Sequence, residues 1–358
     1  MAQGASTPTP SSVINGQPPT KSRRFFFIMK RGLKWSAIAL LTLIFLGCVY
    51  QVLATEIDRR NFPSPGVLVD VDGHKMHIYC LGQGSPTVVL EAGGYSFSSE
   101  WYWVQQQLAP THRVCTYDRA GYGWSEPGPS PRTALRIVAE LHTLLAKANI
   151  SGPYVLAGHS FGGILNSVYA SQYPDEVQGI VLVDTAYASA IKFADESEYK
   201  QWKRDNDLLN APLWALTRTG LGRFLNASAF QGNGYSSQAL AELVAFRSTN
   251  QAFDTYYAEG IAVAWDNQQS FATANAGKLP LMVLWATILP RKLTPPEEVR
   301  LASLRQSVST LSSNSKTRYV EGADHGSIIG NEQFARQVTM AILDVINVAQ
   351  TGKWLAQH

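Results

Sequence analysis

One short segment restricts the folds open to this chain more than any other. Gly158-His159-Ser160-Phe161-Gly162 is a G-x-S-x-G sequence, set between the apolar run Tyr154–Ala157 and a helix that begins near Gly163. A strand that turns sharply into a helix leaves the serine between them on a crowded, strained backbone. Small residues two positions to either side let such a turn close. The turn lifts the serine Oγ clear of the sheet and aims the following N–H groups at it. The five residues alone also occur as inert glycine-rich turns. The strand before and the helix after are what make Ser160 a candidate nucleophile.

The segments around the elbow alternate in the same way. Val67–Val71 and Lys75–Cys80 flank Asp72-Gly73, a hairpin signal. Strand-like runs follow at Thr87–Leu90, Arg113–Tyr117, Tyr154–Ala157, Ile180–Val183, Leu281–Trp285 and Thr317–Val320. Helical periodicity falls between them, at Glu100–Ala109, Thr133–Ala148, Ile164–Tyr173, Pro296–Leu311 and Gln333–Val348. A hairpin followed by βαβ units predicts a mostly parallel sheet covered by helices on both faces. Residues 186–275 interrupt the rhythm with mostly helical sequence, which is read as a cap above the C-terminal ends of the strands.

The front of the chain is of a different kind. Residues 1–22 are rich in Ser, Thr, Pro, Gly and Gln, too polar to build a core, and residues 1–34 are read as a disordered basic tail. Trp35–Ala54 then carries no charge. Twenty residues at about 1.5 Å each span about 30 Å, the hydrocarbon thickness of a bilayer. Trp35 and Tyr50 lie near its ends, as interfacial aromatics do. Basic residues precede the span, so a single-pass anchor would keep the N-terminus cytoplasmic and carry the body across. A signal peptide cleaved after Ala54 is the competing reading. Residues 55–65 form a polar linker to a body at 66–350. Lys21, Arg23, Arg24, Lys30, Arg31 and Lys34 precede every acidic residue, and removing those six from the formal +3 leaves −3 for the remainder. A slightly acidic body argues against nucleic acid as a partner. The seven His and three Cys show no metal-ligand spacing, and no cofactor is expected.

Four motifs, GHSFGG (158–163), EAGG (91–94), YDRAGYGWS (117–125) and GADHGS (322–327), give residues 66–350 a resemblance to the α/β-hydrolase superfamily, in particular its serine-nucleophile, esterase- or lipase-like members. The resemblance implies an eight-stranded, mostly parallel sheet with a helical cap inserted before the seventh strand. It also implies a nucleophile–acid–base triad. A serine hydroxyl needs an imidazole to take its proton, and His325, after the last strand run, stands where the family places this histidine. The backbone N–H of Phe161 follows the nucleophile and is one expected oxyanion donor. The family's second donor comes from the loop after the third strand, which points to Gly94, with Tyr95 in reserve. Position 159 is read as packing, and Asp118 and Arg119 as braces for neighbouring loops.

The acid is less plain. The family usually places it after the seventh strand, where this chain has Leu289. Some members carry it after the sixth, and Asp184 ends that strand run here. Glu297, Glu298 and Asp324 are the alternatives. The resemblance also makes the second and fourth strands antiparallel neighbours, and Cys80 and Cys115, the only cysteines outside the proposed span, could meet there as a disulfide.

Two functions follow. The first is a membrane-anchored hydrolase that cleaves an ester-type bond, or an amide or carbon–carbon bond, of a small or medium apolar substrate. A serine nucleophile sets it apart from epoxide hydrolases and haloalkane dehalogenases of the same fold, which use a carboxylate. The second, motivated by Leu289, is a membrane-tethered ligand-binding homologue with little turnover.

Overall fold

The computed structural model describes residues 21–185, 195–224, 232–270 and 275–354. They fall into two compact units divided between Leu46 and Gly47. The sheet, the cap and the candidate site all belong to the second.

The first helix, α1, runs from Lys21 to Asn61 and carries an apolar segment long enough to cross a membrane. It takes in two stretches that the sequence assigned elsewhere, the basic block of the tail and residues 55–61 of the linker. Polarity suggested a loop there, but Thr55–Asn61 holds no glycine or proline to stop a helix. Pro63 supplies the stop, because proline disfavours helical backbone in the residue before it.

Eight strands form one sheet: β1 (Val67–Asp70), β2 (Lys75–Leu81), β3 (Thr87–Glu91), β4 (Val114–Tyr117), β5 (Tyr154–His159), β6 (Val177–Val183), β7 (Leu281–Ala286) and β8 (Ser315–Val320). Their spatial order is β1-β2-β4-β3-β5-β6-β7-β8. β2 pairs antiparallel with β1 and β4, and every other pairing is parallel. Alternation along the inner strands divides the core. Leu156, Ile180, Leu182, Leu281 and Val283 face one layer, packed on α3 (Ala134–Lys147) and α4 (Phe161–Gln172). Val155, Ala157, Val181, Val183, Met282 and Leu284 face the other, packed on α2 (Tyr102–Leu108). Both faces of a parallel sheet are buried, so these strands read as unbroken apolar runs.

The cap contains three described helices, α5 (Glu196–Arg218), α6 (Ser237–Arg247) and α7 (Asn250–Ser270). The expected cap of 186–275 also includes 186–194, 225–231 and 271–274, which lie outside the described residues. After β7 come α8 (Pro295–Ser309), β8, the short α9 (Ser327–Gly330) and α10 (Glu332–Thr351), whose apolar face completes the second core layer.

Candidate active site

Parallel strands deliver their C-terminal ends to one edge, and the loops that leave that edge can share a site. Ser160 stands between β5 and α4 with φ 53° and ψ −119°, a backbone region unfavourable to any residue with a side chain. Its N–H donates to Val183 O at 2.9 Å, which ties the elbow to the end of β6. The flanking glycines are required by space. A Cβ at Gly158 would come within 2.5 Å of Gly162, and one at Gly162 within 2.4 Å of Glu91 O.

Asp184 follows β6 directly, also with positive φ, 45°. Its N–H donates to Leu284 O at 2.8 Å, and its Oδ1 accepts from the Ala286 N–H at 3.1 Å. Its Oδ2 lies 2.6 Å from Nδ1 of His325, in the loop between β8 and α9. Burial alone would raise the Asp184 pKa. The hydrogen bond and charge of His325, with the Ala286 N–H, more than offset it and hold the carboxyl below the usual aspartate range. A carboxylate accepting from Nδ1–H leaves Nε2 as the nitrogen free to take a proton, the tautomer that a general base needs.

The other acids are occupied differently. Glu297 caps α8, accepting from the Thr294 N–H at 2.8 Å and pairing with Arg291 at 2.6 Å. Asp324 Oδ1 accepts from the N–H groups of Gly326 and Ser327 and shapes the loop that carries His325. Leu289 borders a cavity of about 880 Å³ between β7 and α8, lined also by Trp285, Glu298, Arg305 and Tyr319 but by none of Ser160, Asp184 and His325.

Gly94 and Phe161 are neighbours: a Cβ on Gly94 would sit 3.7 Å from Phe161 Cβ. Both line a cavity of about 170 Å³ closed from the cap side by Tyr256, Glu259 and Gly260 of α7. A space of that size beside the two expected donors suits a small group.

Two buried networks hold these loops. In the first, Glu100 Oε1 accepts from the Gly93 N–H at 2.7 Å and lies 3.5 Å from His159 Nδ1. His159 Nε2 donates to His325 O at 2.9 Å. Burial would lower the His159 pKa, yet Glu100, Asp184 and the His325 carbonyl together raise it above the ordinary histidine value. The elbow's variable position therefore joins the EAGG loop to the His325 loop. The sequence reading took it for packing, because Glu100 lies far from it along the chain.

In the second network, Arg119 donates to Glu91 Oε1 at 2.8 Å, to the carbonyls of Ala92 and Gly93 at 2.7 and 2.9 Å, and to Glu259 of α7 at 2.9 Å. Tyr117 also donates to Glu91, and Tyr122 to Glu259 at 2.9 Å. Asp118 accepts from the N–H groups of Ser98 and Trp124 and pairs with His77 at 3.0 Å. The bracing expected of Asp118 and Arg119 is thus present, and Glu259 is its unforeseen partner from the cap.

A family model described as the alpha/beta hydrolase fold matches residues 86–289, more than half of the chain. The chain belongs to this family. An uncharacterised protein of Schizosaccharomyces pombe is 33% identical over 159 residues, covering 36% of this chain and 30% of the relative. A vacuolar membrane protein of Saccharomyces cerevisiae is 28% identical over 130 residues, covering 31% and 20%. The chain thus spans less than half the length of these relatives. Among solved structures, an epoxide hydrolase from Acinetobacter nosocomialis superposes with a TM-score of 0.63 at 15% identity, covering 84% of this chain and 96% of that one. An esterase from Thermogutta terrifontis superposes with a TM-score of 0.57 at 20% identity, covering 80% and 99%. At such identities the likeness is one of fold. Family model and superposed structures agree on the α/β-hydrolase fold.

Proposed function

We propose that the chain is a membrane-anchored serine hydrolase that cleaves an ester-type bond of a small or medium apolar substrate. The observation that carries this reading is the 2.6 Å contact between Asp184 and His325, in loops that flank the strained elbow of Ser160. His325 accepts the Ser160 proton as Oγ attacks the carbonyl carbon. The N–H groups of Phe161 and Gly94 receive the oxyanion. Collapse of the tetrahedral intermediate expels the alcohol, which takes the proton back from His325. Water then repeats the sequence, releasing the acid and restoring Ser160. Amide or carbon–carbon cleavage would use the same groups. The binding-only reading rested on Leu289, and the Asp184–His325 contact favours turnover over it. The apolar stretch of α1 and its basic flank support a single-pass anchor with the N-terminus in the cytoplasm and the catalytic body on the far side.

A fluorophosphonate probe tests the chemistry. Mass spectrometry should place the adduct on Ser160, and Ser160→Ala should abolish it. Asp184→Asn, with the fold intact, should lower kcat on short p-nitrophenyl esters by on the order of 10⁴ if the serine-protease precedent transfers. An unlabelled Ser160 peptide, or labelling that survives Ser160→Ala, would overturn the assignment.

A further inference from the structure

The part of α1 that packs against the cap is also part of the apolar span. Gly47 is so close to Thr219 that a Cβ there would lie 2.8 Å from Thr219 O, and a Cβ on Gly220 would lie 2.6 Å from Tyr50. Gln51, almost fully buried, donates to Ser248 O at 2.7 Å and accepts from Arg223 at 2.9 Å. Arg223 also pairs with Asp58. The polar member of this stretch thus faces protein, while Val49, Val52 and Leu53 face outward. In a bilayer a glutamine needs such partners.

Length fixes the depth. From Trp35 to Gly47 a helix rises only about 20 Å, short of the roughly 30 Å of hydrocarbon to be crossed. The remainder must come from residues 47–54, the ones that touch Thr219, Gly220 and Arg223. Those cap residues therefore lie at bilayer depth, and so does whatever surrounds them on the cap surface.

Beside them, past the Arg218–Asp254 pair, the end of the helix that leads into this turn is apolar and uncovered. Leu208–Leu216 reads LLNAPLWAL, without a charge, at the C-terminal end of α5. Leu209, Leu213 and Leu216 share one face of that helix at the i, i+4, i+7 spacing, and Leu208 lies beside them. Leu209 is 79% exposed, Leu208 74% and Leu213 41%, and Leu221 is exposed just past the turn. An apolar stripe of this kind, extended by the exposed Trp214 and Phe224, needs an occupant.

We propose that the end of α5 and the turn after it, residues 208–221, form a second membrane contact, seated in the hydrocarbon edge of the bilayer that α1 crosses. The proposal rests on the anchored reading above. It places the cap at the bilayer surface, with α7, whose Tyr256 and Glu259 close the cavity at Gly94, packed behind α5.

The test uses the full chain in phosphatidylcholine vesicles, with a polarity-sensitive fluorophore attached to single cysteines. The Cys80–Cys115 disulfide protects those two, and Cys48 is replaced by serine except where it is itself labelled. Label at Leu213→Cys should be blue-shifted and quenched roughly twofold or more by lipids brominated on their acyl chains, as an interfacial apolar face requires. Leu209→Cys repeats the measurement should the first variant fail to fold. Label at Tyr319→Cys, exposed on β8, should remain aqueous. An aqueous signal at Leu213 and Leu209 with a quenched one at Cys48 overturns the proposal and leaves the anchor standing. A blue shift that brominated lipid does not quench means cover by protein, such as a second copy, and also overturns it. An aqueous signal at Cys48 itself removes the anchor and the proposal together.

Discussion

Ser160 and Asp184 each hold a positive φ that only a rigid surround sustains, and both follow buried strands, the first throughout and the second at all but Gln178. The same rigidity governs Glu91, at the end of β3. It is fully buried, and one guanidinium, Arg119, faces both it and Glu259. Burial outweighs the attraction of Arg119 and the Tyr117 hydrogen bond, and the Glu91 pKa is pushed up to about 7 from an ordinary 4.5. The sign of the consequence follows from linkage. An acid with a higher pKa folded than unfolded keeps its proton in the native state while the unfolded chain loses it. The stability this supplies is complete below about pH 4.5, falls as pH rises, and is gone above about pH 7. Glu91→Gln keeps the group neutral throughout. Relative to wild type the variant should gain stability between pH 5 and pH 8, by on the order of 3 kcal/mol at the limit. Urea midpoints of both proteins at the two pH values measure this. Parallel pH profiles would mean that Glu91 ionises alike in both states.

Between elements, Arg119 is the connection of most consequence. It reaches from the loop after β4 to β3, to the EAGG loop and to α7 of the cap, satisfying two carboxylates and two carbonyls. Arg119→Ala should cost about 3–5 kcal/mol, because it leaves two buried carboxylates, Glu91 and Glu259, without their counter-charge. Arg119→Lys should recover only part, since an ammonium cannot reproduce the planar fork. Chemical denaturation of the three proteins checks both statements, and a midpoint for Arg119→Ala within error of wild type would show that the contact carries no energy. This clamp also marks how far the sequence could be read. The strands and their helices were legible because apolar runs and turn residues are local signals. The elbow was legible because its glycines sit within two residues of Ser160. Glu259 was not, being 140 residues from Arg119 in a segment where helical periodicity says only that there is a cap. Asp184 was legible as the acid at the end of the sixth strand run, though Glu297, Glu298 and Asp324 stayed open beside it. The arrangement of β6, β7 and β8 is what brings it to His325, while Glu297 and Asp324 are spent on caps and turns. In α1 the reading stopped too early, because charge was taken for loop where nothing broke the helix.

For the molecule as a whole, one edge of the sheet differs in kind, because there β1 and β2 pair antiparallel beside the parallel core and β1 is largely exposed. Cys80 of β2 lies directly opposite Cys115 of β4, their Cα atoms 4.0 Å apart, and the two sulfurs are bonded. The bond fastens that edge to a strand whose every residue is buried. It closes a loop of 35 residues, and chain-entropy arguments assign such a loop about 3–4 kcal/mol through restriction of the unfolded chain. Cys115 is fully buried and Cys80 half-buried, so the bond is shielded on the Cys115 side and open to reductant only from the Cys80 side. Two results are therefore expected. Replacing both cysteines by serine should lower the melting temperature by several degrees. Added reductant should lower the wild-type transition toward that of the variant without moving the variant's own. A double variant that melts with the wild type would show that the bond contributes nothing. The oxidation state in cells bears on topology too, because such bonds persist in oxidising compartments. Alkylation of denatured, unreduced protein from native membranes should leave Cys80 and Cys115 unmodified while Cys48 reacts. Uptake of reagent at Cys80 and Cys115 would place the domain in a reducing compartment, and the proposed orientation across the membrane would have to be reversed.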